Sequence, residues 1–401
     1  MTKTVLLTWE LGGELGHLSN LHSIATSLVT HGFTVFVAVQ DISRAHQFFH
    51  SNDGIQLVQA PIWLPKIHMQ RPIACLADVL LLKGYLKAAP LRQLVQTWKT
   101  LFQLTKPDLL ICDYSPTAML ASVDSDIPRL TIGTGYSDPV PGHPIKDWRV
   151  NQSNDGLVAA QEQVLLKSIE AALGPSAAFQ FYGDIFACEG RFICTLPQLD
   201  LYGEHRDHNE QHSSKYCINI AQPSRNETVQ WQHKKRSNIL VYLKPHYSHL
   251  APLLRTLGRC NANVFVACPG GNPATLRPFV TNNLTITTQF AGLFDAFSTA
   301  DLFVGHGNMG STAQSLAHGV PVVALPRQQE NQLNTQMLIA LGVGLTSEKP
   351  ESEACLEATL HQALTNTAIR KNAYNIAQQS AHLIQTPLHE QVLARCLALL
   401  R

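Results

Sequence analysis

Twice along this chain a short apolar run ends in a glycine-rich turn and opens at once into a helix-forming stretch. The first is Val5–Trp9, followed by Gly12-Gly13-Glu14-Leu15-Gly16-His17. The second is Leu302–Val304, followed by Gly305-His306-Gly307-Asn308-Met309-Gly310-Ser311-Thr312. A strand that turns directly into a helix is the first half of a right-handed crossover, and crossovers build parallel sheets covered on both faces. Two such openings, set far apart in 401 residues, imply two sheets rather than one. The length agrees, because a single core stops growing well before this size.

The intervening sequence carries the same rhythm. Leu18, Leu21, Ile24, Ala25, Leu28 and Val29 share one face of a helix that Gly32 stops. Phe33–Val39 reads as a second strand. Leu109–Cys112 reads as a buried strand ending at Asp113, and Pro128–Ile132 as another ending at Gly133-Thr134-Gly135. From Glu204 to Ser237 the composition shifts to His, Asn, Gln, Ser and Lys, the expected linker between domains. Beyond it Asn238–Leu243, Val264–Cys268, Leu302–Val304 and Gly319–Leu325 read as strands, and Glu353–Arg401 as helix-rich. The expected division is an N-terminal domain over 1–222, a second domain over 223–385 and a C-terminal helix, 386–401, packing back on the first. Ligands of open parallel sheets bind beyond the carboxyl ends of the strands, so a cleft between the domains is expected.

Charge and cysteine content exclude several classes. Lys and Arg number 30 against 29 Asp and Glu, which leaves no field to hold nucleic acid. The run His233-Lys234-Lys235-Arg236 reads as a solvated linker, with a phosphate or membrane-surface patch as the lesser reading. Nine cysteines without a Cys-x-x-Cys pair indicate neither a disulfide framework nor a zinc site, and no metal is expected. The N-terminus starts as a strand rather than a charged leader, and no apolar run reaches spanning length. A cytoplasmic location is expected. Peripheral membrane contact and oligomeric state stay open.

The second turn carries the denser chemical signal. A helix N-terminus offers free N–H groups and the positive end of a dipole, which suit a diphosphate. Ser311 is expected to cap a helix running from Thr312 to His318, with Gln314 reaching back; the same residues suit a capped turn with no ligand. Downstream, Gly319-Val320-Pro321 opens a strand that ends in Pro326-Arg327-Gln328-Gln329-Glu330-Asn331, with Asn334 beyond. That polar, carboxylate-bearing cluster at a strand end is where a sugar's hydroxyls can be bound.

The stretch from about Phe290 to Gly344 resembles the donor-binding region of the family 1 glycosyltransferases, which glycosylate small molecules and lipids. Their pattern is His-x-Gly-x-x-Ser/Thr-Thr, then Gly-Val-Pro, then a Pro followed by an acidic residue and an amide. The resemblance implies the α/β GT-B fold, two Rossmann-like domains with parallel sheets facing a central cleft. It implies that His306 contacts the diphosphate, that Ser311 and Thr312 hold the phosphates with their N–H groups, and that Gly307, Asn308 and Gly310 complete the turn. Gln314 would lie near the ribose, and Glu330 and Asn331 would hold the sugar. The chain departs from the pattern at Asn308, where a Gly is common, at Gln314, where plant members carry Glu, and at Glu330-Asn331, where Asp-Gln is frequent. Leu243-Lys244-Pro245 replaces a Gly-Ser/Thr loop. Lys244 is read either as a cationic phosphate contact or as an exposed lysine at a strand end.

At the first turn, His17 follows Gly16 at the start of a helix, where the dipole favours neutral imidazole, the form a general base needs. Asp113 ends a strand of the same sheet, placed to orient His17 and to stabilise its charged form. The two influences oppose each other. Gly16, His17 and Asp113 match the Gly-His and Asp that act as base and partner in the same family. The usual Pro after the His is missing, with Ser19-Asn20 in its place, and His22 is a weaker alternative base. Among the aromatics scattered over 62–98 and 136–182, Trp63, Tyr85, Tyr136 and Trp148 are expected to line an acceptor pocket. The expected activity is inverting transfer of a sugar from a UDP- or TDP-sugar to a hydroxyl of a small natural-product acceptor, with no cofactor beyond the sugar nucleotide. The alternatives are a lipid glycosyltransferase at a membrane surface and a sugar-nucleotide epimerase of the same fold. A dinucleotide fingerprint at Gly12-Gly13 with Asp41 is broken. Asp124-Ser125-Asp126 reads as a hydrated turn rather than a metal site.

Overall fold

Seven strands form the first sheet: β1 Thr4–Trp9, β2 Thr34–Val39, β3 Ile55–Gln59, β4 Leu109–Asp113, β5 Arg129–Gly133, β6 Gly190–Ile193 and β7 Ser214–Tyr216. Their order is β3-β2-β1-β4-β5-β6-β7, and every pairing is parallel. Six strands form the second: β8 Ser237–Tyr242, β9 Ala262–Ala267, β10 Leu284–Thr287, β11 Leu302–Gly305, β12 Val322–Ala324 and β13 Gly344–Leu345, in the order β10-β9-β8-β11-β12-β13, again all parallel. This computed structural model describes residues 2–13, 15–149, 156–206, 214–218, 229–289 and 293–401.

The chain divides into two compact units, Met1–Cys217 with Thr386–Arg401, and Ile218–Gln385. In each sheet the strand order reverses once, between β1 and β4 in the first and between β8 and β11 in the second. Crossovers leave these points in opposite directions and open a crevice beyond the strand ends, the usual ligand position in such sheets. The two glycine-rich turns of the sequence sit at these two reversals.

The first unit's core gathers Val5, Leu7 and Trp9 of β1 with Leu18, Leu21, Ile24 and Leu28 of the helix Leu15–Thr30. That is the apolar face read from the sequence, and it is buried because the crossover lays the helix across the sheet. Leu388, Val392 and Cys396 of the C-terminal helix Leu388–Leu399 complete the same cluster. The second unit has its own core, from Ile239, Val241, Leu253, Leu257, Val264, Val266, Leu302 and Val304 to Leu356 and Leu360.

The linker expected over Glu204–Ser237 needs correction. Its first part belongs to the first unit, because β7 pairs with β6 there. Arg206 is buried, donating to Asp200 at 2.7 Å and lying 3.4 Å from Asp138, which also faces Arg191 at 2.7 Å; the Tyr216 hydroxyl donates to Asp200 at 3.0 Å. Two arginines and two aspartates out of solvent balance in charge, which makes such a burial tolerable. The polar composition hid an edge strand whose Tyr216 hydroxyl joins this buried ion-pair cluster. The expected boundary at 222/223 lies outside the described residues. The run His233-Lys234-Lys235-Arg236 is exposed.

Candidate active site

At the reversal of the first sheet, Trp9 of β1 is the register partner of Asp113 of β4. The chain leaves β1, turns through Gly12 and enters the helix Leu15–Thr30, with His17 in its first turn. His17 Nδ1 meets Asp113 Oδ1 at 2.8 Å. A carboxylate only accepts, so Nδ1 carries the hydrogen and Nε2 is the basic nitrogen of the neutral ring. Asp113 is 1% exposed, and its Oδ2 has no hydrogen-bond partner among the described residues. The carboxylate is therefore directed at one imidazole with little water to screen it.

The surroundings fix the ring. The indole of Trp9 stacks on the imidazole, with centroids 5.4 Å apart and planes 20° from parallel. Gly12 has φ +88°, and a Cβ there would come within 2.6 Å of His17 Nε2. Glycine is required twice over, by the left-handed backbone and by the closeness of the ring. Tyr114, directly after Asp113, holds φ +44°, uncommon for a side chain of that size. Its carbonyl accepts from Leu11 N–H at 3.0 Å, tying the two strand exits together.

Glu10 makes a second tie that the sequence reading overlooked. It is 3% exposed and accepts from the Thr117 amide at 2.8 Å and, through its other oxygen, from the Thr117 hydroxyl. The Tyr85 hydroxyl pairs with the same Thr117 oxygen at 2.9 Å. Burial pushes the Glu10 carboxyl up to about 7, with the Thr117 bonds opposing the shift. A lone acid at the end of an apolar strand was the available signal. His22, the alternative base, lies elsewhere: its ring packs edge-on to Phe49 and its Nε2 is 4.0 Å from Asp53.

The four expected acceptor residues occupy two places. Tyr136 and Trp148 stack at 4.1 Å, with Trp148 buried. Trp63 is partly exposed and packs over Gly84, next to the buried Tyr85.

At the reversal of the second sheet, His306 is 2% exposed and both ring nitrogens are engaged within the chain. Nδ1 donates to the Leu325 carbonyl at 3.0 Å, and Nε2 accepts from the Lys244 amide at 3.0 Å. The ring is a neutral brace joining the ends of β8 and β12, and in this position neither nitrogen has a hydrogen to offer an anion. The lysine's backbone makes the contact, while its ammonium lies 5.9 Å from the Tyr242 ring centre.

The helix here runs Met309–Ala317, not from Thr312. Its first turn is therefore Met309, Gly310 and Ser311, and the expected capping box is replaced. Asn308 is the N-cap residue, the Ser311 hydroxyl donates to the Asn308 carbonyl at 3.2 Å, and the Thr312 amide is spent on the same carbonyl at 3.0 Å. The reason is conformational: Asn308 is extended at φ −65°, ψ 132°, and the turn before it is made by Gly307 at φ +78°. The Thr312 hydroxyl is buried without a partner among the described residues. Asn331, 2% exposed in the helix Gln329–Ala340, donates to Asn308 Oδ1 at 2.9 Å, and Asn334 donates to the Gly307 carbonyl at 2.8 Å. Glu330 and Gln314 are partly exposed.

Residues 251–399 match the model of the erythromycin biosynthesis protein CIII-like C-terminal domain. Demethyllactenocin mycarosyltransferase of Streptomyces fradiae is 26% identical over 288 residues, 67% of this chain and 59% of that protein. CalG4, the calicheamicin glycosyltransferase, superposes with a TM-score of 0.69 over 98% of both chains at 15% identity. By these likenesses the chain is similar to glycosyltransferases of antibiotic biosynthesis. Its fold is the GT-B fold, and the spinosyn rhamnosyltransferase SpnG complexed with thymidine diphosphate shares it, at a TM-score of 0.62 and 15% identity over 99% of this chain and 100% of that one. NDP-glycosyltransferase YjiC of Bacillus subtilis (strain 168) is 36% identical over 69 residues, 17% of each chain. The chain thus spans less than two thirds of the length of these curated relatives. Among the described residues no helix is long and apolar enough to cross a membrane.

Proposed function

We propose that the chain is a glycosyltransferase that moves a sugar from a nucleoside-diphosphate sugar to a hydroxyl of a small natural-product acceptor, with inversion at the anomeric carbon. The observation that carries the reading is the His17–Asp113 pair, 2.8 Å apart at the reversal of a parallel sheet. His17 Nε2 takes the acceptor's hydroxyl proton, and Asp113 stabilises the imidazolium that results. The acceptor oxygen forms its bond to the anomeric carbon as the bond to the diphosphate oxygen breaks, and the nucleoside diphosphate leaves. The second unit supplies the anion site, at the first turn of the helix Met309–Ala317, where main-chain N–H groups and the helix dipole meet the charge that develops on the leaving group. His306 acts there by bracing the strand ends that carry Lys244 and the turn. Glu330 and Gln314 are the candidates for sugar and ribose contacts. Thymidine diphosphate in a structural neighbour favours a TDP-sugar over a UDP-sugar as donor.

The test is a panel of TDP- and UDP-sugars screened by thermal stabilisation, followed by transfer assays with the donors that bind. Ser311→Asp, which sets a negative charge in the first helical turn, is expected to abolish stabilisation by thymidine diphosphate. Unchanged stabilisation would remove the anion site from this turn.

A further inference from the structure

Among the described residues, Asn308 behaves unlike the other Asn and Asp residues at helix N-caps. Asn272 accepts from the Ala274 amide, Asn366 from Ala368 and Ile369, Asp41 from Ser43 and Ser352 from Cys355, each turning its side chain onto the helix it begins. Asn is among the best residues for that task. Asn308 stands at the same position with an extended backbone, yet makes no side-chain bond to its helix. Its Oδ1 is held instead by Asn331 Nδ2 at 2.9 Å. Asn331 is itself held: its Oδ1 faces the Arg327 amide at 3.4 Å and its carbonyl accepts from the Thr335 hydroxyl at 2.6 Å. The two residues are also two of the chain's departures from the family pattern, Asn where Gly is common and Asn where Gln is frequent. A glycine at 308 has no side chain to restrain; an asparagine does.

We propose that Asn331 is a positioning residue for the donor phosphates: it latches Asn308 away from the helix Met309–Ala317, and so keeps the Gly310 and Ser311 amides clear of its side chain for a nucleoside diphosphate. The inference rests on the donor reading above. Released from the latch, Asn308 rotates onto the Gly310 or Ser311 amide and competes with the ligand for the same N–H groups. The latch works through Asn308 alone, so its removal is harmless when residue 308 has no side chain.

Calorimetry of the full chain with thymidine diphosphate and uridine diphosphate tests this. Asn331→Ala is expected to bind about five- to tenfold more weakly than wild type, the scale set by a competing side-chain cap. In the Asn308→Gly background the Asn331→Ala change is expected to cost no affinity, so that the double variant binds as Asn308→Gly alone does. A purely structural role for Asn331 makes the double variant bind more weakly than Asn308→Gly, which overturns the latch, as does undiminished binding by Asn331→Ala. Asn308→Ser leaves the buried Asn331 untouched and serves if Asn331→Ala fails to fold. Serine caps well but is too short to reach Asn331, so Asn308→Ser should bind more weakly than Asn308→Gly; equal affinities for the two refute the latch. Wild-type protein that binds neither nucleotide removes the donor reading itself, and the latch with it.

Discussion

His17 and His306 both lie where a strand gives way to a helix at the reversal of a parallel sheet, His17 in the first helical turn and His306 directly after the strand, and their partners separate them. His17 Nδ1 faces a buried carboxylate at 2.8 Å, while its ring stacks on Trp9. His306 is held between a carbonyl and an amide, each at 3.0 Å. A carboxylate favours the charged ring, so the first imidazole is equipped to gain a proton during a reaction. Backbone groups on both nitrogens need one fixed neutral tautomer, so the second is equipped to stay as it is. The residue type is shared, and the partners differ: a carboxylate at His17, backbone groups at His306.

The largest effect expected from this contrast is on rate. His17→Ala should lower kcat for sugar transfer by about 10³-fold, with nucleoside-diphosphate affinity unchanged by calorimetry. A similar loss of kcat in a folded His306→Ala that still binds nucleotide would erase the distinction between the two histidines. The next is on stability. His306→Ala leaves the Lys244 amide and the Leu325 carbonyl without their partner and should cost about 3 kcal/mol in urea unfolding.

Proton linkage sharpens the comparison from a third side. Glu10 holds its proton up to about 7 in the folded chain, against 4.5 for an ordinary glutamate. Between those values the folded state binds more protons than the unfolded. The contribution to stability is therefore fully present below pH 4.5 and is lost as pH rises through 7, roughly 3 kcal/mol at most. Glu10→Gln has no proton to lose, so the fall in stability from pH 5 to 8 should flatten in that variant; an unaltered slope would deny Glu10 the role. The smallest effect is expected at Lys244. Its amide, not its ammonium, bonds His306, so Lys244→Ala should leave the melting temperature in place and weaken nucleotide binding only about two- to threefold.

Much of the fold was legible because apolar periodicity reports burial directly. The helix face from Leu18 to Leu28 and the strands at Val5, Leu109, Asn238 and Leu302 all lie in elements that the hydrophobic pattern marked. Strands with a weaker pattern escaped: β6 carries Gly190 and the ion-paired Arg191, β7 is Ser-Lys-Tyr, and β13 has two residues. The helix beginning at Met309 was placed late, because Ser311 is a good cap by type while Asn308, the true cap position, does its bonding elsewhere.

The sequence by itself determined two parallel sheets, two strand-to-helix turns and the residues that those turns present, since these follow from local pattern and chain connectivity. Tertiary structure alone decided what each polar group meets. Asp113 reaches His17 from 96 positions away and Leu325 holds His306 from 19, and Asn331 meets Asn308 across 23. A hydrogen bond depends on placement to within tenths of an ångström, which sheet register and crossover packing supply and residue spacing along the chain does not encode.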